Sequence, residues 1–200
     1  MTTLSETDTG QTDQLKHVMR QHATGVAIIT TNAPDPVGFC ANSLTSLSLH
    51  PPLVSFAVTT DSRSGRAWHS STHGVVHLLH VGQGQLARRF ARPGSNKFSR
   101  RTSWHRGPRG LPVLDDVLAQ LLIEVWSRVQ VGDHTLVIAE VLSGEVAGQR
   151  VPLLYHDGCF AAPAPLSTPT DVSAAEGRRR PTTTAVVARD ADTHPYRGQP

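Results

Sequence analysis

Apolar residues fall in short runs separated by Gly, Pro and polar clusters, and their spacing alternates between helical and extended periods. Leu15, Val18, Met19 and His22 recur at i, i+3, i+4 and i+7, which predicts an amphipathic helix stopped by Gly25. Val26–Thr31 is β-branched and reads as a strand, and residues 37–41 resume an extended run after a turn holding Pro34 and Pro36. Leu53–Thr59 reads as a buried strand, 61–72 as a short helix, Gly74–Val81 as a strand and Gln85–Ala91 as another short helix. Residues 93–110 read mostly as loop. Leu121, Ile123, Val125, Val129 and Val131 then alternate with Glu124, Arg128 and Gln130, the period-two signature of one long half-buried strand. Gly132-Asp133-His134 predicts a tight turn and 135–141 the return strand. Val151–Tyr155 and Cys159–Ala161 close the series around His156-Asp157-Gly158. Six to eight short strands with two or three helices, in hairpins and without βαβ alternation, favour a closed antiparallel barrel over a doubly wound sheet.

Composition divides the chain into three parts. Residues 1–12 form a polar lead-in, 13–161 one domain, and 162–200 a Pro-, Thr- and Arg-rich tail with little to bury, read as disordered. No apolar run approaches the roughly 20 residues of a membrane span, and Met1–Thr12 has no apolar signal-peptide core. Two widely spaced cysteines, Cys40 and Cys159, point to a cytoplasmic protein with reduced thiols. The net charge of +3 makes no case for nucleic acid, because part of it is the tail run Arg178–Arg180.

Three segments can carry chemistry. Gly38–Pro52 is rich in small hydroxyl and amide side chains, so backbone N–H groups can approach a flat ligand closely, although composition alone favours a Ser/Thr-rich surface turn. Asp61-Ser62-Arg63-Ser64 opens a helix after a strand and suits an anion, or simply an N-cap. His134 at a hairpin tip can donate a hydrogen bond or transfer a proton near neutral pH, or merely face solvent. His69, His73, His77 and His80 have helical spacing, but Gly74-Val75-Val76 breaks the helix between them, so no metal site is assigned. Gly82-Gln83-Gly84 lacks the third glycine of a dinucleotide fingerprint. Cys40 has no identifiable partner base and reads as a buried structural thiol.

In order and at similar separations, the segments ATGVAIITT (23–31), GFCANSLTSLSLHPPLVSFAV (38–58), SRS (62–64), GVVHLLHVGQGQLARRFA (74–91), NKF (96–98), GLPVL (110–114), GDHTLVIAEV (132–141) and PLLYHDGCF (152–160) resemble the flavin reductase-like family, the FMN-binding split barrels. The resemblance implies a mainly β fold, a six-stranded antiparallel Greek-key split barrel with short flanking helices. It also implies a homodimer with flavin sites near the subunit interface. By position, Cys40, Ala41, Asn42, Ser43, Leu44, Ser46 and Leu47 would line the isoalloxazine and ribityl chain. Ser62, Arg63 and Ser64 would meet the phosphate, and Phe90, Ala91, Lys97 and Phe98 the other side of the flavin. His134 matches the histidine beside the nicotinamide, and Tyr155 and Phe160 lie in the segment near the pyridine nucleotide. Cys40 stands where threonine is common, His50 where Asp or Asn is usual, and Phe160 where tyrosine is frequent.

The implied activity is reduction of FMN or FAD by NADH or NADPH, with reduced flavin passed to a separate flavin-dependent monooxygenase. His134 would position the nicotinamide and is the one catalytic residue assigned. One alternative is an enzyme that keeps FMN tightly and acts on a small organic substrate. Another is a non-catalytic flavin-binding or interaction protein that uses the basic tail.

Overall fold

The computed structural model describes residues 6–165. The tail run Arg178–Arg180 lies outside the described residues. In chain order the elements are α1 (Glu6–Met19), β1 (Thr24–Gly25), β2 (Ala27–Asn32), β3 (Pro36–Ala41), β4 (Thr45–Leu49), β5 (Pro52–Thr59), α2 (Arg63–Ser70), β6 (His73–Leu78), α3 (Gly84–Ala91), β7 (Trp104–Arg106), β8 (Pro112–Leu114), β9 (Ala119–Val131), β10 (His134–Val146), β11 (Leu154–His156) and β12 (Cys159–Ala161). Short 3-10 turns at Val81–Gln83 and Pro108–Gly110 complete the set. No described helix is long and apolar enough to cross a membrane.

Seven strands form one antiparallel sheet in the order β3-β2-β6-β9-β10-β5-β4. The edge strands β3 and β4 are consecutive in sequence, joined only by Asn42, Ser43 and Leu44. A flat seven-stranded sheet is about 29 Å across at ~4.8 Å per strand pair. The four Cα steps from Ala41 to Thr45 reach at most about 15 Å. The sheet therefore curls until its edges approach, although no ladder joins β3 to β4. The Ser43 hydroxyl accepts a hydrogen bond from the Ala57 N–H at 3.0 Å, which ties the linking residues onto β5.

Both faces of the curled sheet are buried along β2. Ala27 and Ile29 point inward to a core with Phe56, Trp68, Val76, Ile123, Val137 and Ala139. Val26 and Ile28 flank them on the other face, under Phe90 and Ala87 of α3 with Leu114 and Leu153. A strand covered on two sides reads as a continuous apolar run, which is what Val26–Ile29 shows.

Four local expectations change. The first helix extends back to Glu6 and ends at Met19, because Gly25 pairs with Leu154 of β11 rather than capping a helix. Thr45–Leu49 is an edge strand, its polar outward positions having hidden it among serines. Trp104–Arg106 pairs with β8 inside the predicted loop. In β9, Leu121, Ile123 and Val125 face the core as expected, but a bulge at Trp126 shifts the register between Val125 and Ser127. Arg128 then stands opposite buried Val137, while Val129 and Val131 turn outward and are 46% and 59% exposed. Arg128 donates through Nε to the Trp68 carbonyl at 2.7 Å and through its other nitrogen to the Ser71 carbonyl, closing the C-terminal end of α2.

His77 on β6 is fully buried between the two layers. Its Nε2 accepts from the Leu114 N–H at 3.0 Å, so Nδ1 carries the proton and donates to the Ile28 carbonyl at 3.0 Å. Burial pushes its pKa down to about 4. The unfolded chain protonates this group near its ordinary 6.5 and the fold resists doing so. Stability is thus fully present above about pH 6.5, falls as pH drops toward 4, and changes no further below that, a total of about 3 kcal/mol. Urea denaturation should show a lower midpoint at pH 5.0 than at pH 7.5, with the difference shrinking in His77→Gln; an unchanged difference would assign the loss to other groups.

Candidate functional site

The main cleft lies between β3, the start of α2, the end of α3 and the segment that follows α3. Its volume is about 960 Å³. Gly38 makes the close packing of its floor possible, since a Cβ there would sit 2.7 Å from the Phe90 ring. Phe90, Phe98 and Trp104 form an edge-to-face series along one wall, with centroids 5.4 Å and 5.1 Å apart.

One end of the cleft is cationic. Ser62 caps α2: its hydroxyl accepts from the Gly65 N–H at 2.9 Å and donates to the Thr59 carbonyl at 2.7 Å. That leaves the N–H groups of Arg63 and Ser64 at the positive end of the helix, with no acidic residue in its first turn. Gly65 is required here because a Cβ would fall onto the carbonyl oxygens of Thr59 and Thr60. Arg63 lines the cleft and has no carboxylate partner within ion-pair distance among the described residues. Lys97 enters from the opposite side and donates to the Gly38 carbonyl at 3.0 Å. Burial and the neighbouring Arg63 lower the Lys97 pKa. A desolvated lysine beside an arginine is a strong attractor for an anion. Cys40 faces this lysine, and burial pushes its thiol up to about 11, so it stays protonated at neutral pH.

The expected residues divide between places. Cys40, Ser62, Arg63, Ser64, Phe90, Ala91, Lys97 and Phe98 come together in the main cleft. Asn42, Ser43, Leu44 and Tyr155 line a second cleft of about 420 Å³, walled also by Arg20, Thr24 and Asp157. Ala41 is 5% exposed and its side chain belongs to the core. Ser46 and Leu47 lie on edge strand β4 and line neither cleft. Phe160 stacks edge-on against Tyr155 at 5.8 Å, with the Arg88 guanidinium 5.0 Å from its ring.

His134 begins β10 opposite Thr59. Its Nδ1 donates to the Asp133 carboxylate at 2.7 Å, which lowers the Asp133 pKa. In the neutral imidazole Nε2 is then an acceptor, 3.3 Å from the Thr59 hydroxyl. Thr59 lines the main cleft, so the histidine reaches the cleft rim through this contact. Thr59, Trp104 and Arg106 are cleft residues that sequence reasoning missed. Thr59 was readable only as a strand end, and the other two only as members of a basic loop.

The four clustered histidines occupy the end of α2, β6 and the cap before Val81. Among the described residues no group of three or more His, Cys, Asp or Glu is arranged to hold a metal.

Residues 19–163 match the family model described as the flavin reductase like domain. An NADH:FMN oxidoreductase of Rhodococcus qingshengii is 39% identical over 153 residues, which are 74% of this chain and 80% of that protein. The reductase subunit HsaB of a flavin-dependent monooxygenase of Mycobacterium tuberculosis is 35% identical over 156 residues, 76% of this chain and 83% of that one. Among solved structures, the NADH:FAD oxidoreductase SgcE6 of Streptomyces globisporus, in complex with NAD and FAD fragments, superposes with a TM-score of 0.74 at 30% identity, covering 84% of this chain and all of that one.

The thiols offer a direct test of the cleft's electrostatics. Iodoacetamide at pH 7.5 should alkylate exposed Cys159 well before Cys40, as read by peptide mass spectrometry. Faster labelling of Cys40 would show that its thiol is neither buried nor held protonated.

Proposed function

The chain belongs to the flavin reductase-like family, and we propose on that footing that it is an NADH-dependent flavin reductase that supplies reduced FMN or FAD to a separate monooxygenase. The observation that carries this reading is the 960 Å³ cleft with an aromatic wall and an end formed by Arg63, Lys97 and the N-terminus of α2. These residues suit a flavin nucleotide. The cationic end takes the phosphate, and Phe98 and Trp104 supply apolar surface, backed by buried Phe90, while Asn42, Ser43 and Leu44 line the neighbouring cleft at the link between β3 and β4. A bound flavin supplies the two-electron redox chemistry, so no protein nucleophile is needed.

The protein's own share is binding and orientation. Arg63 and Lys97 neutralise the phosphate. Asp133 orients the His134 ring through Nδ1, and Nε2, which takes the Thr59 hydroxyl in the free protein, would exchange that donor for an N–H from the amide of a dihydronicotinamide and fix its approach. Tyr155 and Phe160 are assigned to the same nucleotide.

We read the curled seven-stranded sheet as the six-stranded Greek-key split barrel with one further paired strand. We also propose a homodimer. Trp126, Val129 and Val131 are 60%, 46% and 59% exposed on a face that also carries His134, and a second copy would cover them beside the site. The two free thiols fit a cytoplasmic setting.

Purified protein should oxidise NADH only when FMN or FAD is added, and should lose any yellow colour on dialysis. Flavin retained after dialysis would favour a resident cofactor and direct action on a small substrate. Arg63→Gln should weaken FMN binding by about 10- to 100-fold, in keeping with a charge-assisted phosphate contact of roughly 1.5–3 kcal/mol, and leave riboflavin binding nearly unchanged. His134→Ala should lower NADH turnover while flavin binding survives. Equal loss of riboflavin and FMN in the first variant, or full turnover in the second, would remove the assigned roles.

A further inference from the structure

A third, shallower cleft of about 740 Å³ adjoins the main one. The two share Ser95, Asn96 and Phe98, so they meet along one line of side chains. The adjoining cleft adds Arg89, Arg100 and Arg101. Its charge is exceptional for this chain: residues 84–110 hold eight of the 19 Lys and Arg and none of the 16 Asp and Glu. None of these arginines is in an ion pair with a carboxylate among the described residues.

The cleft is held in shape from within. One terminal nitrogen of Arg89 donates to the Arg101 carbonyl and to the Thr102 hydroxyl, both at 2.8 Å. Thr102 donates on to the Lys97 carbonyl at 2.7 Å, and the Ser95 hydroxyl donates to the Arg89 carbonyl at 2.6 Å. The same bonds that place Lys97 in the main cleft therefore fix the loop that presents Arg100 and Arg101. Arg89 keeps its remaining N–H donors for another acceptor.

We propose that this arginine-lined cleft is a second anion subsite, which takes the adenylate half of a flavin dinucleotide, its distal phosphate and adenosine, while the riboflavin half occupies the main cleft with the proximal phosphate at Arg63 and Lys97. The proposal rests on the flavin reading and makes FAD, rather than FMN, the preferred flavin. The chemistry matches. A dinucleotide carries its charge along a diphosphate, which forked guanidinium groups bind bidentately. Phe98, at the junction, offers an aromatic surface and Asn96 an amide. A flavin mononucleotide has nothing to place there.

The test is binding, without turnover. Flavin fluorescence is titrated with riboflavin, FMN and FAD against the full chain and against Arg100→Gln/Arg101→Gln, whose side chains are exposed and outside the main cleft. In the unchanged protein FAD should bind at least about 10-fold more tightly than FMN. The double variant should lose that advantage and keep its FMN affinity. ADP alone should compete with FAD in the unchanged protein, more weakly in the double variant. FMN and FAD binding equally, or both weakening equally in the variant, would overturn the subsite and leave the arginines as a general field or a surface for an acidic protein. Failure of any flavin to bind would instead overturn the flavin reading itself.

Discussion

Three residues between opposite edges of a seven-stranded sheet set the geometry of this protein. Asn42, Ser43 and Leu44 cannot span a flat sheet, so the strands must curl, and the curl brings β3 beside β5 without a ladder between them. Phe39 and Phe56 pack across that gap with centroids 6.1 Å apart. An unpaired edge inside a structure leaves backbone groups in search of partners. Two of them find side chains: the Gly38 carbonyl accepts from Lys97, and the Ala57 N–H donates to the Ser43 hydroxyl. The cleft opens where the ladder stops, and the groups that satisfy the interrupted edge belong to the proposed binding residues.

The charge in that cleft is positive for structural reasons. Lys97 is drawn in by a carbonyl, and its desolvation is only partly offset there. Arg63 stands at a helix end whose dipole has the same sign. Three like-signed contributions in a partly buried space are costly in an empty site and become favourable when an anion arrives. The phosphate of the proposed flavin would thus gain what the folded protein gives up. The neutral Cys40 thiol fits the same balance: Lys97 favours its thiolate, but burial dominates and keeps the charge of the site unopposed.

The order of elements was legible because the signals were local. β-branched runs gave β2 and β5, the Ser62 cap gave α2, and Gly132-Asp133 gave the β9–β10 hairpin. What could not be read was long-range. β4 looks like a serine-rich linker because an exposed edge strand needs few apolar residues. Gly25 looks like a helix stop because its partner Leu154 lies far along the chain. The grouping of Ser62, Arg63, Lys97 and Phe98 followed from family resemblance. Thr59, Trp104 and Arg106 join them only through the packing of the segment after α3 across the cleft.

The bulge at Trp126 is the least legible feature and one of the most consequential. The sequence keeps odd-numbered valines on both sides of it, so alternation alone places all of them in the core. One extra residue reverses the faces beyond it. Arg128 is thereby sent inward to close the C-terminal end of α2, whose other end is the proposed anion site. Val129 and Val131 are sent outward, Val131 directly opposite His134. A strand without the bulge would present a valine to the α2 carbonyls and leave the guanidinium beside the histidine. The helix proposed to meet the phosphate and the surface that frames the proposed nicotinamide contact are therefore set by one register shift, and removing it would disturb both at once.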